Sequence, residues 1–131
     1  MNVVRALGAL IAGFAGWKAV ATLATMLGEV IWPAYAAVEQ QRVFTLDMYL
    51  SRLGVGVLAT IVFGVAVALV AKGDRRIVRA VLAVWLTYSI IDHYLVWDQF
   101  PVWYHLVYLG YIVPFALLGA ALVRRLREAR A

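Results

Sequence analysis

The sequence lacks cysteine entirely and contains very little serine, histidine or charge. The absence of cysteine excludes disulfides, thiol redox chemistry, iron–sulfur clusters and thiolate zinc sites. Ser51 and Ser89 are the only serines, and neither lies in a motif that would pair a nucleophile with a base. The sequence therefore favours a protein that is not an enzyme. The catalytic alternative is lipid chemistry carried by His93 together with Asp92 or Asp98.

Long hydrophobic runs dominate what remains. Hydrophobic residues make up 66% of the 131 residues, and the mean hydropathy is +0.89, which is more than a soluble core can use. The pattern predicts one transmembrane domain over 1–131, with helices at about 3–32, 46–71, 77–97 and 103–126, each long enough for the roughly 20 residues that cross a bilayer. Helices are required because lipid offers an open backbone edge no hydrogen-bond partner. The predicted fold is an all-α, integral membrane four-helix bundle.

Basic residues are concentrated at the N-terminus, the second loop and the C-terminus, which share one side of a four-pass chain. Nine of the twelve lysines and arginines lie there: Arg5, Lys72, Arg75, Arg76, Arg79, Arg124, Arg125, Arg127 and Arg130. The positive-inside rule then places both termini in the cytoplasm, with the protein in a bacterial inner membrane. This distribution speaks against nucleic acid as a partner. We interpret the turn 72–76 as a topology anchor on anionic headgroups rather than a specific phosphate site.

Small residues recur four apart on the first two predicted helices, as they do where membrane helices pack closely. The sequence therefore predicts that these two helices pack against each other through the two small-residue faces. The first face contains Gly8, Ala12 and Gly16, and the second contains Gly56, Thr60, Gly64 and Ala68.

Two charges fall deep within predicted helices. Lys18 and Asp92 each lie about 13 residues from the cytoplasmic end, or roughly 20 Å deep. An unpaired charge there costs about 2.5–3.5 kcal/mol or more, so we expect the two to form an ion pair. The pair would either fix the helix register or line a polar pocket for a ligand or protons. Its expected polar neighbours are Thr22, Tyr88, Ser89, Tyr108 and Tyr111.

Aromatic residues are concentrated near the end of the bundle opposite the basic clusters, where ten of the seventeen lie. An interfacial belt would occupy both surfaces, so the one-sided excess indicates a packed aromatic cap, a groove for a lipid, quinone or pigment ring, or a docking surface for a partner helix. Glu29 and Arg52 are expected to pair there. The predicted cluster at this end comprises Glu29, Arg52, Trp97, Asp98, Trp103 and Tyr104.

Both histidines flank the predicted turn between the last two helices, so His93 and His105 could approach each other. Helices joined by about five residues pack 8–10 Å apart, which is too close for a porphyrin between them unless the ligands come from two protomers. A copper or zinc ion held by His93, His105 and Asp98 is geometrically easier. An interfacial histidine is most often hydrogen-bonded to a neighbouring carbonyl, tyrosine or carboxylate, and no cofactor is required by the sequence.

The segments Trp32-Pro33-Ala34-Tyr35 and Trp97–His105 carry a likeness to known sequences. The chain resembles a group of short, uncharacterised bacterial four-pass membrane proteins over nearly its whole length, and this resemblance implies no established activity. Small multidrug-resistance transporters have a similar size and helix count, with a membrane-embedded glutamate in the first helix. Here Glu29 lies near the outer end, and Lys18 and the charge bias do not fit, so that function is not transferred.

Three functions follow as expectations. The first is a small non-catalytic accessory or scaffold subunit that packs with itself or with a larger membrane complex, in contact with membrane lipids. The second is binding or transport of a small hydrophobic or cationic ligand (lipid, quinone or pigment) by Lys18, Asp92 and the neighbouring tyrosines. The third is haem or metal binding through His93 and His105.

Overall fold

The computed structural model describes residues 2–130, and within that range the chain is all-helical with no strand. The all-α prediction is confirmed. The elements in chain order are α1 (Val3–Ile31), α2 (Pro33–Glu39), α3 (Leu46–Ala71), α4 (Arg75–Leu95), a short 3₁₀ turn (Trp97–Gln99) and α5 (Val102–Glu128).

Three of these helices, α1, α3 and α5, are long and apolar enough to cross a membrane. The fourth predicted span is present as the helix α4, but arginines crowd its first turns and Asp92 lies near its end, so its composition does not meet the same standard. Length and composition therefore support membrane crossing directly for three helices.

Local sequence sets the helix ends. Pro33 follows the end of α1 and occupies the first turn of α2, because proline disfavours helical geometry in the preceding residue and suits a first helical turn. The segment 33–44, which lies outside the predicted helices, thus contains a short helix. Between α3 and α4, Lys72 and Gly73 adopt positive φ angles, and the carboxylate of Asp74 accepts hydrogen bonds from two backbone N–H groups of α4, which is how an N-cap stabilises a helix start.

Helix α3 lies at the centre of the molecule. It contributes ten buried residues, whereas α1 contributes only Ala9 and Gly13. Helix α1 packs on one side of α3 and α5 packs on another. Side chains of α1, α3 and α4 meet around Trp85, whose ring stacks on Phe63 at 4.7 Å and lies 5.4 Å from Trp17. The helices therefore surround α3 rather than forming a simple ring.

The predicted contact between the first two long helices is confirmed, and the small-residue face of α1 takes part in it through Gly8 and Gly16, but the face of α3 is not the one expected. A Cβ atom at Gly16 of α1 would meet Val62 of α3. The small-residue face of α3 is turned instead towards α5, where a Cβ atom at Gly64 would collide with the backbone of Ala116. A Cβ atom at Gly119 of α5 would likewise collide with the backbone of Ile61. Small residues on both helices allow α3 and α5 to approach closely, and α1 packs on a different face of α3.

Candidate functional site

The two histidines meet directly at the junction of α4 and α5. The Nδ1 atoms of His93 and His105 lie 2.7 Å apart, and the rings are nearly perpendicular. His105 is fully buried and His93 is 7% exposed. The turn between the helices brings Trp97 onto the other side of His105, where the two rings stack at 4.5 Å and the Nε2 atom of His105 lies 3.1 Å from the carbonyl oxygen of Trp97.

The hydrogen bonds determine which nitrogens carry protons. A carbonyl oxygen can only accept, so Nε2 of His105 donates to Trp97. In neutral His105 the Nδ1 atom then accepts, and Nδ1 of His93 donates to it. Nε2 of His93 is consequently unprotonated and can accept a hydrogen bond or bind a proton. This tautomer follows from the geometry of the pair.

This geometry does not fit the expected metal or haem site. In a tetrahedral site two imidazole nitrogens, each about 2.0–2.1 Å from the metal, lie about 3.3 Å from each other, and opposite ligands of a haem iron lie about 4 Å apart. Within residues 2–130, no three histidine, aspartate or glutamate side chains converge to hold a metal ion. The set of His93, His105 and Asp98 predicted from sequence is therefore not assembled. The pair is a hydrogen bond between two rings.

Arg52 contacts several aromatic residues at the same end of the molecule. Its Nη1 atom donates to the carboxylate of Glu39 at 3.1 Å and to the hydroxyl of Tyr35 at 3.2 Å, and this connects α3 to α2. Its guanidinium carbon lies 5.6 Å from the ring centre of Phe44 and 5.5 Å from that of Phe100, which is within the range of cation–π attraction. The predicted aromatic cap is thus present and has a cation at its centre.

The expected Glu29–Arg52 pair is wrong. Among residues 2–130, Arg52 forms its ion pair with Glu39, and Glu29 is exposed on α1. The reason is the short helix α2, which returns Glu39 to the α3 surface. That segment lies outside the predicted helices, and Glu39 is not among the predicted site residues.

A cavity of about 360 Å³ lies beside the histidine pair, and we call it the aromatic cavity. It is bordered by Trp17, Ala59 and Tyr108, and His93 lies against Tyr108 with the ring centres 4.2 Å apart. Its lining also includes four charged residues, Glu39, Arg42, Arg52 and Asp92. The cavity is therefore amphipathic, with both aromatic and charged side chains in its walls.

Two polar atoms close to this cavity are buried without a hydrogen-bond partner in the described part of the chain. One is the indole Nε1 of Trp17, which lines the cavity. The other is the hydroxyl of Tyr111, which lies against Gly56, itself a lining residue. A buried donor without an acceptor costs about 1–3 kcal/mol.

The predicted Lys18–Asp92 ion pair is not formed. Over residues 2–130 the ion pairs are Arg52–Glu39 and Arg124–Glu128, and both Lys18 and Asp92 are exposed. Lys18 and Asp92 nevertheless lie at a similar level along their helices. Phe14 and Tyr88, one turn earlier on each helix, have their ring centres 6.4 Å apart. Asp92 lines the aromatic cavity and Lys18 does not.

The structure separates the other residues of the predicted polar site. Thr22 and Tyr88 are exposed, whereas Ser89 is buried and donates its hydroxyl to the carbonyl of Trp85. Only Tyr108 of that set lines the aromatic cavity together with Asp92. In the predicted outer-end cluster, Tyr104 lines the cavity and is buried. Arg52 also lines the cavity, whereas the remaining members, Glu29, Trp97, Asp98 and Trp103, are exposed and do not.

Trp17 lines the cavity but is not among the predicted site residues. The residue predicted there is its neighbour Lys18, which was chosen for its charge and is rotated by about 100° from Trp17 around the helix axis. A helical projection aligned on the buried residues Ala9 and Gly13 would have placed Trp17 on the inner side, since these positions recur every four residues.

No protein-family model, curated protein or solved structure matches this chain. The function is accordingly argued from the geometry of the aromatic cavity.

Proposed function

We propose that the protein binds a small, flat, oxygen-bearing hydrophobic molecule of the quinone type in the aromatic cavity. The observation that carries the proposal is a cavity lined by the rings of Trp17, His93 and Tyr108 together with Arg52. Ligand sites are typically apolar cavities with a few placed polar groups, and here the guanidinium group of Arg52 offers a donor to a carbonyl oxygen.

The remaining walls agree with that ligand. The rings of His93 and Tyr108 pack on each other with centres 4.2 Å apart and both line the cavity, and aromatic side chains favour offset or edge-to-face packing with another flat ring. The unprotonated Nε2 of His93 accepts from a ligand hydroxyl, so the reduced form of such a ring has a partner as well. The charged residues of the lining keep a more polar substituent solvated.

Ligand binding is tested with a decyl-substituted benzoquinone in detergent micelles, followed by quenching of tryptophan fluorescence. Ala24 lines the cavity, and Ala24→Phe fills it, so binding should be lost. Ala19 is exposed on the same helix and does not line the cavity, so Ala19→Phe should bind as the unmodified protein does and reports partitioning into the micelle. Equal binding by the Ala24 and Ala19 variants would overturn the proposal.

We further propose that α1, α3, α4 and α5 all cross a bacterial inner membrane, with both termini in the cytoplasm. Helix α4 has 21 residues and is therefore about 31 Å long, which matches the bilayer core. The basic residues at its start continue the positive clusters at the two chain ends, as the positive-inside rule expects of one common side.

The cysteine-free chain makes this topology easy to test. Gln40 and Lys72 are exposed in two different connecting segments. Under the proposal, an impermeant maleimide added to intact cells labels Gln40→Cys and labels Lys72→Cys only after the membrane is opened. Labelling of both positions in intact cells would exclude the four-span arrangement.

A second proposal, an accessory or scaffold subunit, is supported by Lys18. This ammonium group is exposed near the middle of a candidate span and forms no ion pair within residues 2–130. A charge at that depth is costly unless paired or able to reach water, and an acidic group on another subunit would supply the partner. Native mass spectrometry from mild detergent tests this: the wild-type protein should be found in an oligomer or larger complex that Lys18→Met dissociates. A monomer in both cases would contradict it.

A further inference from the structure

A second cavity, of about 530 Å³, lies at the opposite end of the bundle from the histidines, between α4 and α5. We call it the arginine groove. Its rim carries the four arginines Arg75, Arg79, Arg124 and Arg127, and one acid, Glu128. Its floor is apolar and consists mainly of Ala68, Val78, Leu117, Ala120, Ala121 and Val123.

The charges around the groove are largely unneutralised. Glu128 lies 3.8 Å from Arg124 on the same helix, and Asp74, the nearest other acid along the chain, uses its carboxylate to cap α4. Arg75 and Arg79 are exposed and form no ion pair in the described part of the chain. One acid against four arginines leaves a net charge of +3 at the rim.

The packing of α5 explains why the groove exists. Gly119 holds α5 tightly against the backbone of α3, and the neighbouring positions 120 and 121, which face the groove, are both alanine. Small side chains at this point leave space between α4 and α5. The arginines lie near one end of each helix, since Arg75 is the first residue of α4 and Arg127 lies in the last turn of α5. The apolar floor lies next to them, further along the two helices.

This combination matches one class of molecule. The guanidinium group binds phosphate oxygens through parallel hydrogen bonds, and an alkyl chain is the partner of an alanine- and leucine-lined floor. Basic pockets between membrane helices near the headgroup level take phospholipid headgroups. We propose that the arginine groove binds one anionic phospholipid, with its phosphate between the guanidinium groups of α4 and α5 and one acyl chain on the apolar floor.

This proposal differs from diffuse attraction to a charged surface, because it depends on which arginines are present rather than on how many. The chain offers a matched comparison. Arg76 and Arg125 are immediate neighbours of groove arginines on the same two helices, are equally exposed and do not line the groove. Removing two charges from either set changes the net charge of the protein by the same amount.

The experiment is native mass spectrometry of the full chain in detergent, titrated with phosphatidylglycerol. The unmodified protein should retain one lipid per chain, and Arg75→Gln/Arg79→Gln should bind it roughly tenfold more weakly or worse. Arg76→Gln/Arg125→Gln should stay within about twofold of the unmodified protein, as salt-screened surface charges contribute little. Equal losses in the two double variants would show diffuse attraction and overturn the site.

Two further arms distinguish the source of the phosphate. Phosphatidylcholine is zwitterionic, because its choline group neutralises its phosphate. It should bind much more weakly than phosphatidylglycerol. Inorganic phosphate at millimolar concentration should not displace the lipid, because it cannot use the apolar floor. Displacement by free phosphate, or equal binding of the zwitterionic lipid, would overturn the proposal. Ala121→Phe, which occupies the floor while leaving every arginine in place, should also reduce lipid retention.

Discussion

The Nδ1 atoms of His93 and His105 are hydrogen-bonded to each other at 2.7 Å across the α4–α5 junction. Through Nε2 of His105 the connection continues to the carbonyl oxygen of Trp97 in the turn between the two helices. The ring of His93 in turn contacts Tyr108 at the aromatic cavity. Two hydrogen bonds and one ring contact therefore link the turn to the proposed ligand site.

Replacing one histidine of the pair should be more harmful than its own contacts suggest. His93→Phe leaves Nδ1 of the buried His105 without its partner, at a cost of about 1–3 kcal/mol, and His105→Phe strands His93 in the same way. The double variant should therefore lose less stability than the sum of the two single variants. Denaturant unfolding in detergent measures the cycle, and strictly additive losses would contradict the hydrogen bond.

The glycines of the α3–α5 crossing should not tolerate a methyl group. Gly64→Ala and Gly119→Ala each place a Cβ atom against a neighbouring backbone, so we expect a loss of about 1–3 kcal/mol through overpacking. Gly54 and Gly110 lie on the same two helices with open space around them. Alanine there should be neutral or slightly stabilising because it favours the helix. Comparable losses at all four positions would show that the crossing is looser than the structure indicates.

Removing the cation of the aromatic cap should release α2. Arg52→Gln loses the ion pair to Glu39 and the ring contacts of the guanidinium group. Both side chains of the pair are about one third exposed, so global stability should change by less than about 1 kcal/mol. Amide hydrogen exchange over Pro33–Glu39 should nevertheless rise several-fold, because α2 is connected to α3 through this contact.

Glu29→Gln serves as the control for that experiment, since Glu29 is exposed and takes no part in the Arg52 contacts. Exchange over α2 should be unchanged in this variant. If Glu29→Gln raised hydrogen exchange over α2 as much as Arg52→Gln does, the result would support the Glu29–Arg52 pair expected from the sequence.

Lys18 and Asp92 should behave as independent residues. Lys18→Met and Asp92→Leu each remove an exposed charge, and with no ion pair between them their effects on unfolding should add to within about 0.5 kcal/mol. A coupling energy well above that value would indicate that the two groups do meet in the membrane.

Helix existence and position were predictable because they depend on local properties. The predicted helix 46–71 coincides with α3 (Leu46–Ala71), since a polar N-terminal segment and the Lys72-Gly73 turn delimit one apolar run. Helix α2 was missed because seven residues are too few for a hydropathy signal. Its stability comes partly from a distant contact, the one between Glu39 and Arg52.

The candidate site was predicted less well, because it depends on the rotation of each helix about its axis. Counting residues gives the level of a side chain along its helix, and on that basis His93 was correctly predicted near His105 and Lys18 level with Asp92. Counting residues does not show the direction in which a side chain points around the helix axis. Neighbouring residues such as Trp17 and Lys18 differ by about 100° around the axis, and the structure turns the first inward and the second outward.

The sequence by itself determined that this is an all-helical chain with helices suited to a membrane, because side-chain hydrophobicity and helix length are properties of each segment alone. Only the tertiary structure decided that α3 lies at the centre, that its glycines face α5 rather than α1, and that Arg52 joins Glu39. Those choices depend on how side chains of different helices fill space together, and several rotations of each helix satisfy the same apolar pattern until close packing selects one.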